Sequence, residues 1–465
     1  MRYLPILLLL FFFLCGCTAG HEAKKPFNIV LITIDALRAD HLSCYGYQRT
    51  TSPVIDSIAE EGILYKNAIA PSSWTSPSVA SLFTSVYPTN HGVINNVGHR
   101  KNAKRSMPEI FSEQLTTLTE SLKAQGYATF AVASNPHLRK QCGFGRGFDY
   151  FECLDGQPAV TVNNTLYKWE ETIRTSEKFF IWIHYFDPHY PYFPQSPWVN
   201  EYTPQSLTQK MNFSRKPFRE IVRLIPDLEN NSDMLGNLIG LYDSEINYVD
   251  SFIGKFINKF NVGDNTLLII TSDHGEEFLE HHLLGHGYSL YQASIHIPLI
   301  IKLPGNNQKE IDEKYVTLLD IMPTIFDVLG CAPPDHILGT PLLSKKPLFP
   351  WIAKVLPWKD TPRHIFSELH TLSHKTVLSS GWKYYYAGTS EEEYLFNIET
   401  DPLESTNLIE EEKEKGRLLK NTLFNWLDHA KRYPTTKSPH TISKEEQEKL
   451  EALGYIGTVE NPRAQ

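Results

Sequence analysis

Several things that would announce a function are scarce or missing in this chain. Only 6 of its 465 residues are cysteine. No Cys-x-x-Cys pair or Cys/His spacing is present that would hold a structural zinc. Positive charge is in deficit: 44 Lys and Arg stand against 53 Asp and Glu, for a net charge of −9, and no long Lys/Arg block occurs. That leaves no electrostatic footprint for nucleic acid and excludes a general nucleic-acid binder. No Gly-x-x-x-x-Gly-Lys-Ser/Thr loop is found, and the glycine-rich stretch Cys142-Gly143-Phe144-Gly145-Arg146-Gly147-Phe148-Asp149 lacks the full dinucleotide fingerprint and precedes no clear helix. Beyond residue 14 no apolar run reaches the ~20 residues that cross a bilayer as a helix, so the body is expected to be soluble.

What is present is an ordinary globular mix, 41% hydrophobic and 21% charged, which excludes wholesale disorder. At ~150 residues per domain, the length predicts two or three domains. The first residues have a job of their own. Arg2 gives a positive start, Ile6 to Leu14 is unbroken apolar, and Leu14-Cys15-Gly16-Cys17 closes the run. It is too short to span a membrane and suits the core of a signal peptide. The ending resembles a bacterial lipobox, which would make Cys17 the lipidated first residue of the mature chain. An ordinary signal peptide cleaved nearby is the plainer alternative. Either way the chain is expected to be exported; with Cys17 lipidated it is expected in a bacterial cell envelope, on the periplasmic or extracellular face, touching the membrane through that lipid anchor only. Residues 1–16 are then the leader and 17–26 a tether. Of the remaining cysteines (Cys44, Cys142, Cys153 and Cys331), the oxidising envelope permits a Cys142–Cys153 loop closure, and four isolated thiols fit equally well.

Phe27 to Ile34, Tyr127 to Ala133, Phe179 to His184 and Asn265 to Thr271 read as strands buried on both faces. Leu115, Leu118 and Leu122 recur at helical spacing, and Asp243 to Phe260 is an amphipathic helix. Strands alternating with helices predict an α/β fold with a large, mostly parallel sheet, assigned to residues 27–345. The texture then changes. His364 to Leu369, Lys375 to Ser379, Trp382 to Ala387 and Glu393 to Asn397 are short, closely spaced strands. They predict a small antiparallel sheet in a C-terminal subdomain, 346–465, followed by a helix over 404–430, a loop over 432–442 and a short charged helix over 443–453.

Asp35 and Asp273 stand at the carboxyl ends of buried strands, where open α/β sheets bind ligands. Asp273-His274 on one tight turn can supply oxygen and nitrogen to a divalent metal. For Asp35 alone, a helix N-cap is the bland alternative. Between them, Ser72-Ser73-Trp74-Thr75-Ser76-Pro77-Ser78 opens a helix running through Phe83. Beside a metal, the Thr75 hydroxyl could be deprotonated and attack phosphorus or sulfur; plain N-capping is the competing reading. His184 and His189 flank Tyr185-Phe186-Asp187-Pro188 at another strand end, and His281, His282 and His286 follow Asp273. Such histidines can ligate a second metal, bind an anionic ester or protonate a leaving group. The set Asp187, His189 and His286 is the candidate for a second metal.

The opening Asn28-Ile29-Val30-Leu31-Ile32-Thr33-Ile34-Asp35, with Tyr45-Gly46, Thr51-Ser52-Pro53, Gly62 and Asn67-Ala68, resembles that of the sulfatase family in the alkaline phosphatase superfamily. Thr75-Ser76-Pro77-Ser78, Gly147-Phe148-Asp149, Asp187-Pro188-His189-Tyr190-Pro191-Tyr192 and Ser272-Asp273-His274-Gly275-Glu276 continue the resemblance. So do Ile297 through Gly305, Asp320-Ile321-Met322-Pro323-Thr324, Tyr394-Leu395-Phe396-Asn397 and Asp401-Pro402. It covers roughly 27–410, in order and with matching spacing. The resemblance implies a larger α/β domain before a smaller antiparallel one. It implies Asp35, Thr75, Asp273 and His274 around calcium, magnesium, manganese or zinc, with Thr75 as nucleophile. By the same resemblance His137, His189, His286 and Lys302 lie near positions that bind the ester; His189 and His286 are assigned to catalysis, and His137 and Lys302 to substrate binding.

The departures carry as much information. Sulfatases read Cys/Ser-x-Pro-x-Arg, whose first residue is oxidised to formylglycine; here Thr75 and Val79 replace the first and last residues. Threonine carries a methyl on Cβ, so no formylglycine is expected. The family's paired Asp-Asp is Asp35-Ala36, one metal oxygen short, and its Gly-Lys-Trp-His segment reads Ser134-Asn135-Pro136-His137 without the Lys. Threonine is the nucleophile in phosphodiesterase-like and phosphoethanolamine-transferase-like relatives, which moves the expectation toward phosphate esters. The expected reaction is in-line attack by the Thr75 oxygen, giving a phospho- or sulfothreonine that water hydrolyses. The expected substrate is an anionic ester, with envelope glycans or lipids as carriers. A phosphoryl-group transferase acting on such carriers, or an inactive ligand-binding lipoprotein, is the alternative.

Overall fold

The computed structural model describes residues 26–94, 109–194, 196–203, 218–343, 363–437 and 443–445. The leader, Cys17, the boundary expected at 345/346 and all but the first three residues of the 443–453 helix lie outside the described residues.

Eight strands form one sheet: β1 (Asn28–Ile34), β2 (Ile63–Ile69), β3 (Ala128–Ala133), β4 (Tyr150–Cys153), β5 (Phe179–Tyr185), β6 (Thr266–Ser272), β7 (His296–Lys302) and β8 (Glu310–Thr317). Their order is β8-β2-β7-β6-β1-β5-β3-β4, and β7 alone opposes the others, antiparallel to β2 and to β6. The sheet is therefore mixed and mostly parallel, as expected. The unbroken apolar runs follow from burial on both faces. Ile29 and Leu31 of β1, with Leu267 and Ile269 of β6, enter one core; Val30, Ile32, Leu268 and Ile270 enter the other. Each such side chain contributes about 1.5–3 kcal/mol by leaving water.

Helices α1 (Pro53–Ala59), α2 (Thr75–Thr84), α3 (Leu118–Ala124), α4 (Ala159–Tyr167), α5 (Ser232–Phe260) and α6 (Ile321–Leu329) cover the two faces. α2, α3 and α6 pack on the first core; α1, α4 and α5 pack on the second. α5 begins at Ser232, not Asp243, capped by Asn231 accepting from Met234 N at 3.0 Å. Gly236 and Gly240 hid that extension, since glycine is a poor helix former. Gly240 is there for close approach: a Cβ would meet Tyr202 O and Thr203 Cγ2 at 2.6 Å.

The second sheet is a four-strand antiparallel meander, β9 (Ile365–Leu369), β10 (His374–Ser379), β11 (Trp382–Ala387) and β12 (Glu392–Asn397). It buries Val377, Tyr384 and Leu395 against Leu419 and Leu423 of α7 (Lys413–His429). The helix expected from residue 404 starts only at Lys413, because Glu404 adopts φ +54° and its carboxylate turns inward to Lys383 Nζ, 2.6 Å away. Within the expected 432–442 loop, Thr436–Lys437 forms a short ladder with Glu109–Ile110. Cys44, Cys142, Cys153 and Cys331 are all thiols, so no Cys142–Cys153 bridge closes that loop.

Candidate active site

The carboxyl edge of β6, β1 and β5, three adjacent strands, gathers the polar residues. Asp35 follows β1 and donates its backbone N–H to Tyr185 O at 3.0 Å; Asp273 follows β6; His184 lies in β5 opposite Thr33. All three are buried. Ala36 turns the chain with φ +55°, a sparsely populated region for a residue with a side chain. Its N–H then donates to Asp273 Oδ1 at 3.3 Å. Asp35 Oδ2 accepts from Asn135 Nδ2 at 2.6 Å, and His184 Nε2 is 3.3 Å from it. Each carboxylate thus has one anchored oxygen. The other, Asp35 Oδ1 and Asp273 Oδ2, is buried without a hydrogen bond.

His274 Nε2 faces both bare oxygens, 3.4 Å from Asp35 Oδ1 and 3.5 Å from Asp273 Oδ2. Its Nδ1–H donates to Gly275 O at 2.9 Å, which holds the ring in that orientation. Burial opposes a charge on His274, but Asp273 and Asp35 outweigh it and raise its pKa. Burial also pushes the Asp35 carboxyl up, and His189, His184 and His274 more than reverse this, holding it far below the usual carboxylate range. The pocket draws positive charge. Thr75, first residue of the wholly buried α2, places Oγ1 3.3 Å from His274 Nε2, and Asn135 Nδ2 donates to that oxygen at 3.1 Å.

A second group closes the pocket. The His286 ring lies 4.3 Å from that of His274 and 4.8 Å from that of His189, centroid to centroid. His189 Nδ1–H donates to Tyr190 O, and His286 Nδ1 is 3.1 Å from Glu276 Oε1. Burial pushes His189 down to about 4. Burial, aided by His274, pushes His286 down to about 3, and burial pushes Glu276 up to about 7.

The loop carrying Thr75 is fixed from the second sheet. Glu368 N donates to Pro71 O at 2.9 Å, Ser72 Oγ donates to Glu368 O at 2.7 Å, and Ser367 Oγ donates to Ala70 O at 2.7 Å. β9 therefore positions the entry to α2.

Of the residues singled out in the sequence, Asp35, Thr75, Asp273, His274, His189 and His286 converge. His137 is buried beside Trp74, its ring 5.9 Å from the indole, and so borders the pocket. Lys302 does not join them. Because β7 runs antiparallel, its last residue pairs with Leu268, near the start of β6, and Lys302 forms an ion pair with Glu61 at the opposite edge. Asp187 also faces elsewhere: its Oδ2 accepts from Ala159 N at 2.9 Å and its carboxyl shares a hydrogen bond with Glu245. The second metal set expected with His189 and His286 is therefore not assembled. His281 stacks on Tyr291 and His282 pairs with Glu229, both outside the pocket. Reading from sequence missed Asn135 and Glu276 and did not place His184 in the metal set; Ser-Asn-Pro-His after β3 was the one available signal for Asn135.

The donors fit a divalent ion. One donor atom each of Asp35, His184 and Asp273 lies within 4.8 Å of the others. The spacings of 3.3–3.5 Å around His274 Nε2 match the separation that ligands at ~2.0–2.4 Å take around one ion. The two carboxylate oxygens that accept no hydrogen bond both face the shared His274 Nε2, so oxygen and nitrogen donors converge on one point.

Comparison with known proteins agrees with the geometry. The sulfatase profile matches residues 27–331, and a second profile, N-sulphoglucosamine sulphohydrolase C-terminal, matches 280–431. An arylsulfatase of Clostridium perfringens is 25% identical over 465 aligned residues, spanning 85% of this chain and 92% of the relative. The fold matches the phosphonate monoester hydrolase of Agrobacterium radiobacter with a TM-score of 0.62 at 21% identity, over 85% of this chain and 94% of that one. It also matches a structure solved in complex with its substrate, D-glucosamine-2-N,6-O-disulfate, with a TM-score of 0.65 at 19% identity, over 87% and 99%. Members of this family are metal-dependent hydrolases of sulfuric and phosphoric esters. With a profile match across most of the chain and the buried Asp/His/Asp set at the strand ends, this chain belongs to the sulfatase family.

Proposed function

We propose that this chain hydrolyses anionic esters, phosphate ahead of sulfate, through a covalent intermediate on Thr75. The observation that carries the reading is the seat of Thr75 Oγ1. It stands at the start of a buried helix, 3.3 Å from His274 Nε2 and 3.1 Å from Asn135 Nδ2, where the family has its oxidised residue. The likeness in fold to a phosphonate monoester hydrolase supports the phosphorus side of the reading.

Asp35, Asp273, His274 and His184 would hold the divalent ion, which when bound neutralises charge on the ester oxygens and lowers the pKa of a neighbouring hydroxyl. Thr75 Oγ1, its proton released to solvent, would form a bond to phosphorus as the bond from phosphorus to the leaving oxygen breaks. Asn135 Nδ2 steadies the attacking oxygen through its hydrogen bond. Burial keeps His189 and His286 uncharged at rest, with pKa values near 4 and 3. A docked dianion raises both, so one of them carries the proton given to the leaving oxygen. Water then cleaves the phosphothreonine and restores the hydroxyl. The same reading tethers the chain in a bacterial envelope through lipid on Cys17, acting on esters of envelope glycans or lipids. Labelling with a fatty acid, lost in Cys17→Ala, tests that placement.

Turnover of matched aryl phosphate diester, phosphate monoester and sulfate, with Thr75→Ala alongside, tests the chemistry. Phosphate cleavage above sulfate cleavage, abolished in Thr75→Ala and accompanied by a phosphorylated Thr75 peptide in acid-quenched enzyme, is expected. Faster sulfate cleavage overturns the preference, and undiminished turnover in Thr75→Ala overturns the nucleophile.

A further inference from the structure

Ala36 follows Asp35, where the resemblance to sulfatases implies a second aspartate, yet another donor stands near. His184, on the neighbouring strand β5, reaches the same cluster, with Nε2 3.3 Å from Asp35 Oδ2. Its other nitrogen is held from behind: Nδ1 is 2.7 Å from Thr33 Oγ1, and Trp182 Nε1–H donates to that hydroxyl at 3.0 Å. Nε2 is thus the ring atom that faces the carboxylates, the arrangement by which an outer hydrogen bond orients a metal-binding imidazole. His184, Asp35 and Asp273 are fully buried, and one donor atom of each lies within 4.8 Å of the others.

We infer that His184 takes the place of the lost aspartate, making a site of two imidazoles (His184 and His274) and two carboxylates (Asp35 and Asp273) that selects zinc-like transition ions over calcium. The inference rests on the metal-dependent reading above but not on Thr75 as nucleophile. Calcium takes six to eight oxygen ligands, whereas imidazole nitrogen suits zinc and its first-row neighbours. Trading one carboxylate for an imidazole also removes a negative charge from the cluster, which weakens its hold on a hard cation more than on a borderline one.

The test is binding, not turnover. The full chain, stripped of metal, is titrated with zinc and with calcium by calorimetry. Zinc is expected to bind at least about 100-fold tighter than calcium, and His184→Ala to weaken zinc by about 30-fold or more while changing calcium by less than about 3-fold. Adding Ala36→Asp to His184→Ala is expected to strengthen calcium binding; aspartate tolerates the positive φ at that position. X-ray absorption of the zinc-loaded wild-type chain is expected to show two imidazoles, and this decides the matter even where His184→Ala does not fold. Calcium binding as tight as zinc, unchanged zinc affinity in His184→Ala, or a single imidazole overturns the inference. Retained turnover in Thr75→Ala would overturn the covalent mechanism and leave this preference standing.

Discussion

Two buried charged clusters sit a short way apart along the chain's interior, and they are built on opposite plans. Around Glu368, every charge is answered: Oε1 accepts from Thr89 N at 2.9 Å, and Oε2 accepts from Thr89 Oγ1, Lys375 Nζ and His370 Nε2 at 2.5, 2.7 and 3.0 Å. Burial raises the Glu368 pKa, but Lys375 and His370 reverse this and hold it far below the usual range. Around Asp35 and Asp273, in the same degree of burial, two carboxylate oxygens accept no hydrogen bond and share one neighbour, His274 Nε2, at 3.4 and 3.5 Å. A satisfied cluster fixes a structure; one with its donors held apart and unanswered is organised around something that must arrive. A bare oxygen alone does not mark a site, since Glu245 Oε2 is also without a hydrogen bond; what sets Asp35 and Asp273 apart is that two such oxygens face one imidazole nitrogen.

Four experiments break or sharpen that contrast. Thr75→Ala, which touches only the unanswered cluster, is expected to cut kcat/KM on the order of 1,000-fold or more with little change in Tm. Glu368→Ala, in the answered cluster, should do the reverse: it strands the Lys375 charge in the interior and costs about 3–5 kcal/mol in denaturant unfolding. Third, a divalent ion at 100 times its Kd should raise the stability of the metal-free chain by about 2.7 kcal/mol. Asp273→Asn should lose that gain while leaving the ion-free chain at least as stable, because burial and Asp35 already raise the Asp273 pKa.

The effect that is smallest per step of the variable changed is one of pH, at a buried histidine outside both clusters. His91 Nδ1 accepts from Val93 N at 3.1 Å, and Nε2 is 3.0 Å from Ser81 Oγ, so the ring is neutral; burial pushes its pKa down to about 3. The folded form then binds fewer protons than the unfolded one, whose histidine titrates near 6.5. Stability is fully present above about 6.5 and falls on acidification toward 3, by about 1.4 kcal/mol per pH unit from this residue. His91→Gln should flatten the Tm-against-pH curve by that one proton.

Much of the site could be read from the chain because its residues follow strands. Asp35 and Asp273 end apolar runs, and a run that is buried on both faces announces both a parallel sheet and the edge where ligands bind. What could not be read depends on neighbours in space. His184 closes the run Phe-Phe-Ile-Trp-Ile-His and looks like a core residue until Thr33 and Asp35 lie beside it. An apolar strand carries no arrow, so nothing in Ile297 to Ile301 told that β7 runs backwards and takes Lys302 to the far edge. Asp187 follows a strand just as Asp35 does, but the start of α4 claims it. Glu404 reads as a helix former and is used instead as a buried counter-ion for Lys383.

The hydrogen bonds between residues 367–368 and residues 70–72 also link parts of the chain made far apart in time. The strand that seats Thr75 is synthesised nearly three hundred residues after it, on the order of 15–60 s later at ~5–20 residues per second. Until β9 arrives, the α/β body can collect its strands around Asp35 while the segment before α2 lacks its final restraint. A chain cut short before β9 would lack the contacts that hold residues 70–72 in place.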